Sequence, residues 1–229
     1  MVFSGLWPGN GTVGALPELA SGDYIVCADG GYAICAAAGI RPAAVIGDFD
    51  SLSAELIDEI GALGIERVIH PGEKDDTDTM LCVKYGLERG FDRFLIIGGI
   101  GGDFGHTVAN LQVLSFLTDM RRKAEIVTGR ERVMMVDGET AQARGETSTA
   151  LGGTDLPEPL VFTGRPGLRF SVLSYAERSS GVCIRNAKYE LSDAALTHSC
   201  PLGVSNECMN AEPVTVLVRY GRLLVVVDI

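Results

Sequence analysis

Basic residues, histidines and long apolar runs are all scarce in this sequence, and each scarcity closes off a class of function. Nineteen Lys and Arg stand against thirty Asp and Glu, a net charge of −11. Nucleic-acid binders neutralise phosphates with clustered Lys and Arg, so no nucleic-acid partner is expected. The same deficit means that an anionic nucleotide would need a metal ion or backbone N–H groups to hold it. No stretch approaches the roughly 18 apolar residues of a membrane helix; the longest near the C-terminus covers only residues 223–227. Residues 1–10 show neither a basic n-region nor an apolar h-region, so no secretory leader is expected. The six cysteines form no C-x-x-C pair and have no zinc-like spacing with the three histidines. Cys27, Cys35 and Cys82 lie in apolar stretches, where reduced, buried thiols and a cytoplasmic setting are expected. The single tryptophan, Trp7, and the Met134–Met135 pair read as packing residues.

With 46% hydrophobic residues the chain is globular rather than disordered. In the first half, short runs rich in Val and Ile alternate with helical patterns. Residues 24–28, 44–47, 67–70 and 94–98 predict strands; 32–38, 53–63, 77–89 and 107–120 predict helices. In the third helix Met80, Val83 and Leu87 form one stripe that stops at Gly90. Such alternation implies an α/β domain with a mostly parallel sheet, assigned to residues 1–124. Beyond it, period-two runs at 168–173, 182–184, 214–220 and 223–227, with a tight turn at Gly221, imply an all-β sandwich or jelly-roll domain over 125–229. The polar stretch 137–160 reads as an exposed loop.

Four polar clusters follow the predicted strands of the first half. In open α/β sheets ligands collect at the carboxyl ends of strands, so the four can meet in one crevice. Asp29-Gly30-Gly31 combines a carboxylate with glycines that let backbone approach a ligand; a strand-to-helix turn with Asp29 as N-cap is the plainer alternative. Asp48 and Asp50 alternate along the chain, so extended backbone would point both to one side. Two such carboxylates repel unless a cation or proton lies between them, and magnesium prefers oxygen ligands; a solvated loop is the alternative. Lys74-Asp75-Asp76-Thr77-Asp78 opens a helix whose dipole favours acids. Asp75 and Asp78 would share a face if the first turn holds both. Residues 98–105 contain five glycines, which expose N–H groups beside a helix N-terminus in an anion-binding arrangement. This is neither a Walker A sequence nor a dinucleotide fingerprint. His106, at the helix start, reads more readily as a capping or packing residue than as a base.

In this order the clusters resemble the thiamine pyrophosphokinase family: a DGG turn, a GDxDS strand end, a KDxTD helix start and a GGxGGRxDHxxAN loop-helix. The family then carries an SNE element in a β-rich domain. The matching residues are Asp29-Gly30-Gly31, Gly47 to Ser51, Lys74 to Asp78, Gly98 to Gly102 with His106, Ala109 and Asn110, and Ser205-Asn206-Glu207. The resemblance implies transfer of a pyrophosphoryl group from ATP to thiamine, yielding thiamine diphosphate and AMP, with Mg2+ as cofactor. It also implies a homodimer with thiamine held between subunits. Catalysis then falls to Asp29, Asp48, Asp50 and Asp78, and magnesium to Asp48, Asp50, Asp75 and Asp78. ATP is assigned to Ser51, Lys74, Asp75, Thr77, Gly99, Gly101, Gly102 and His106, and thiamine to Asp29, Asn110, Ser205 and Asn206. One departure stands out: the family's Arg and Asp are Asp103 and Gly105 here. Either Asp103 supplies the missing acid or it caps the helix that follows. A magnesium-dependent phosphohydrolase and a weakly active thiamine-binding protein are the rival readings.

Overall fold

The computed structural model describes residues 1–5, 16–138 and 158–229. Trp7 and most of the expected 137–160 loop therefore lie outside the described residues. The chain divides into two compact units, Met1–Arg130 and Glu131–Ile229. The expected boundary at 124/125 falls inside the strand Lys123–Val127, which pairs in parallel within the first unit.

Among the described residues the first unit has six strands: β1 (Val2–Ser4), β2 (Val26–Ala28), β3 (Ala44–Gly47), β4 (Glu66–Ile69), β5 (Arg93–Gly98) and β6 (Lys123–Val127). All five neighbour pairs are parallel, giving the order β6-β5-β1-β2-β3-β4. Strand β3 is buried along its length, which explains why it is uniformly apolar instead of alternating. The crossovers from β2 onward are made by the helices α1 (Tyr32–Ala37), α2 (Ala54–Ala62), α3 (Asp78–Glu88) and α4 (Phe104–Asp119). The core gathers Phe3, Cys27, Tyr32, Val45, Ile60 and Ile97 from strands and helices alike. From β1 the chain steps outward through β2, β3 and β4, then returns to place β5 on the other side of β1. The order therefore reverses between β1 and β5, where open α/β sheets form their ligand crevice.

Helix starts follow local capping chemistry. Ser53 accepts from the Leu56 N–H and Thr77 from the Met80 N–H, each satisfying an otherwise orphaned donor. Helix α4 begins at Phe104, three residues before the expected start, because Asp103 Oδ1 accepts the His106 N–H at 2.9 Å.

The second unit contains β7 (Glu131–Asp137), β8 (Leu160–Phe162), β9 (Arg169–Ser174), β10 (Arg178–Arg185), β11 (Leu191–Thr197), β12 (Asn206–Glu207), β13 (Val214–Leu217) and β14 (Arg222–Asp228). These pair antiparallel as β12-β9-β14-β7 and as β11-β10-β13-β8. The apolar faces of both sheets share one core, including Val136, Phe170, Val182, Leu196, Val216 and Val225. This is the expected α/β domain followed by a β-sandwich. Met134 is a core residue of β7, so the methionine pair lies on a strand. Among the described residues no helix is long and apolar enough to cross a membrane.

Candidate active site

Asp29 follows β2 directly and opens a single 3-10 turn, Asp29–Gly31. Its backbone adopts φ 32°, uncommon for a residue with a side chain, and its carboxylate is buried, only 3% exposed. Oδ2 accepts the Ser51 N–H at 3.2 Å, while Oδ1 is buried without any hydrogen-bond partner. Burial raises the Asp29 pKa; the bonds from Ser51 act against it, and the nearby Asp78 and Asp48 add to it. Packing explains the second of the two glycines beside it. A Cβ on Gly31 would lie 2.0 Å from the Phe3 carbonyl oxygen.

Strand β3 ends at Gly47, and Asp48 follows. Its Oδ1 accepts the Asp50 N–H at 3.4 Å, and its Oδ2 lies 3.5 Å from Lys74 Nζ. Its pKa is lowered: burial would raise it, but the Asp50 N–H and the Lys74 ammonium prevail. Phe49 then takes a left-handed φ of 66°. The chain is therefore not extended from Asp48 to Asp50, so the regular backbone on which their side-by-side arrangement was argued is absent. Asp50 is exposed and accepts the Ser51 hydroxyl on Oδ1 at 3.0 Å.

Asp78 is the first residue of α3. Its Oδ1 is buried and meets the Lys74 ammonium at 2.8 Å. Thr77 is the cap, so Asp75 precedes the helix, is exposed, and shares no helical face with Asp78. Asp76 pairs with Lys84 at 2.6 Å. One oxygen from each of Asp29, Asp48 and Asp78 lies within 4.8 Å of the others, a grouping able to hold a cation. Asp29 was expected as a catalytic residue and not as part of a metal group; Asp50 and Asp75 are outside it.

The glycine loop follows β5. Gly98, Gly99, Gly101 and Gly102 all have positive φ, which is open to glycine at little cost. Asn110, 4% exposed on α4, donates Nδ2 to the Gly99 carbonyl at 2.7 Å and to Ser4 Oγ at 3.5 Å. Ser4 Oγ is in turn 2.5 Å from Thr79 Oγ1, one residue beyond Asp78. The loop at the end of β5, the end of β1 and the start of α3 are thus tied together. Sequence reading missed Ser4 and Thr79; a three-residue strand ending in a polar residue before Gly5 was the available signal. His106 is exposed, and Asp103, also exposed, caps α4 and is not part of the carboxylate group.

In the second unit Ser205 is exposed with φ 61°. The buried Asn206 uses its amide locally: Oδ1 accepts from the Tyr189 and Glu207 N–H groups, and Nδ2 donates to the Tyr189 carbonyl.

Residues 17–128 match the family described as Thiamin pyrophosphokinase, catalytic domain. The chain is 24% identical over 177 residues to Thiamin pyrophosphokinase 1 of Caenorhabditis elegans, covering 75% of this chain and 64% of that one. It is 24% identical over 173 residues to Thiamine pyrophosphokinase of Bacillus subtilis, covering 75% and 72%. The match thus spans less than two thirds of the nematode protein's length. The crystal structure of thiamine pyrophosphokinase from Bacillus subtilis superposes with a TM-score of 0.79 at 21% identity, covering 99% of this chain and 97% of that one. The catalytic-domain match lies across all four polar clusters, so residues 17–128 belong to the catalytic-domain family of thiamine pyrophosphokinases, and the chain shares its fold with the Bacillus subtilis protein over nearly its whole length.

Proposed function

We propose that this protein is a cytoplasmic, magnesium-dependent enzyme that transfers a pyrophosphoryl group from ATP to the hydroxyl of thiamine. The observation that carries the reading is the grouping of Asp29, Asp48 and Asp78 at the ends of β2 and β3 and the start of α3, in the unit that also holds the glycine loop. The donor set suits magnesium, a hard cation that takes carboxylate oxygens and substrate phosphates, and the unpartnered Oδ1 of Asp29 is an oxygen in need of one. Asp48, Asp78 and Asp29 would hold the ion, with the exposed Asp50 and Asp75 as further oxygen donors. Bound there, magnesium would neutralise phosphate charge as the transition state develops.

The remaining steps fall to the chain's own groups. The N–H groups of Gly99, Gly101 and Gly102 are suited to phosphate oxygens, with Ser51, Lys74, Thr77 and His106 as further ATP contacts. Thiamine is a cation and fits beside carboxylates. Its hydroxyl oxygen forms the new bond to the β-phosphorus, the bond between that phosphorus and the oxygen bridging to the α-phosphate breaks, and AMP leaves. The hydroxyl proton passes to a carboxylate of the same cluster.

The reading includes a homodimer, the commonest symmetric assembly, in which the exposed Ser205 of one copy reaches thiamine bound to the other. Asn206 contributes by holding that loop, since its amide is already engaged. Asn110 likewise acts through the glycine loop it secures.

Incubation with ATP, magnesium and thiamine, followed by mass spectrometry, tests the reading. Thiamine diphosphate and AMP are expected in equal amounts, and only with all three present. Phosphate release without thiamine would replace it with a hydrolase.

A further inference from the structure

Lys74 already occupies the place where positive charge is needed. Its ammonium lies 2.8 Å from Asp78 Oδ1 and 3.5 Å from Asp48 Oδ2, and its side chain is only 15% exposed. Among the described residues no other ion pair reaches Asp48 or Asp78. Without such a cation, carboxylates this close repel one another. The neutralisation is nevertheless incomplete, because the third carboxylate, Asp29, keeps a buried Oδ1 with no partner. One monovalent ammonium thus serves two of three clustered acids, whereas an ion of charge two could serve all three.

We infer that Lys74 is a resident counter-cation that holds the carboxylates together in the absence of metal, and that it is displaced toward the nucleotide phosphates when a divalent ion enters. The inference rests on the proposed metal site. The local structure suits such an exchange. Lys74 belongs to the irregular segment between β4 and α3, and its flexible four-carbon stem carries a compact charge that can be re-aimed without moving a helix. The exchange also settles an electrostatic conflict. ATP and the carboxylates repel each other, and a cation released from one next to the other favours binding of both.

Two measurements test it. Manganese titration of the nucleotide-free protein should show Lys74→Met binding Mn2+ on the order of tenfold tighter, since a competing charge is gone, with Lys74→Arg close to the parent. Circular dichroism verifies that both variants fold. A second readout needs no variant: acylation of lysines in the unaltered protein, mapped by mass spectrometry. Lys74 should become more reactive when Mn2+ is added and less so when a non-hydrolysable ATP analogue follows, with Lys84 and Lys188 as internal references. A Lys74 whose labelling is unchanged or reduced by Mn2+, or a Lys74→Met protein that binds Mn2+ no more tightly, overturns the inference. If Mn2+ binds and Asp48→Asn abolishes that binding, such a failure removes only the exchange by Lys74. If neither the parent nor Lys74→Met binds Mn2+, the metal site falls as well.

Discussion

Gly47 and Asp29 approach so closely that a Cβ on Gly47 would lie 2.8 Å from the Asp29 Cβ and 3.2 Å from Asp78 Oδ1. The end of β3 must therefore carry no side chain if the carboxylates of two other elements are to converge on it. Gly47→Ala should destabilise the fold by about 1–3 kcal/mol, as overpacking of a tight site does, and should lower turnover at least tenfold by spreading the acids. Urea unfolding and steady-state rates check this. An alanine variant with the parent's midpoint and rate would mean that the carboxylates tolerate wider spacing.

Asn110 joins the Gly99 carbonyl to Ser4 through one buried amide. Asn110→Ala strips the carbonyl of its donor, at a cost of about 1–3 kcal/mol. Asn110→Asp should be worse, since it places an acceptor against an acceptor. Because the amide shapes the loop assigned to phosphates, the KM for ATP should rise in both variants. Unchanged stability in Asn110→Asp would contradict the tie.

Asp103 caps α4 through the His106 N–H and is exposed. Asp103→Ala should cost about 1 kcal/mol, typical for loss of an N-cap, and Asp103→Ser should restore most of it. Magnesium dependence should be the same in all three proteins. A rightward shift of the magnesium titration in Asp103→Ala would instead make this residue a substitute for the family's missing acid.

Tyr32, which follows the Asp29–Gly31 turn, has its pKa pushed up to about 12, first by burial and then by its bond to Glu59. An unfolded tyrosine ionises near pH 10, so between pH 10 and 12 the folded state keeps a proton that the unfolded state has lost. This group's stabilisation is complete below pH 10 and disappears as pH rises toward 12, with a slope of up to about 1.4 kcal/mol per pH unit. Tyr32→Phe should show a shallower decline in unfolding free energy over that window. Parallel curves for the two proteins would refute the assignment.

The strand–helix alternation of the first unit, the parallel sheet, the following sandwich and the four polar clusters were legible in the residues, whereas β1, β6, β7, β8, β11 and β12 were not among the expected strands. Each depends on local signals: runs of Val and Ile, helical stripes, and glycines or acids at strand ends. Which acids meet was decided by tertiary structure. Spacing places two side chains on one face only if the backbone between them is regular. A left-handed Phe49 separates Asp50 from Asp48, and the cap at Thr77 leaves Asp75 outside the helix that begins with Asp78. Asp29, some twenty residues earlier in the chain, joins Asp48 and Asp78 because β2 and β3 are parallel neighbours and end at the same edge of the sheet. Ser4 and Thr79 gain their part only from the return of the chain to β5 beside β1, and Asn206 turns inward because the Tyr189 and Glu207 backbone needs its amide. Local sequence sets what each segment offers; convergence requires strands distant in sequence to lie side by side.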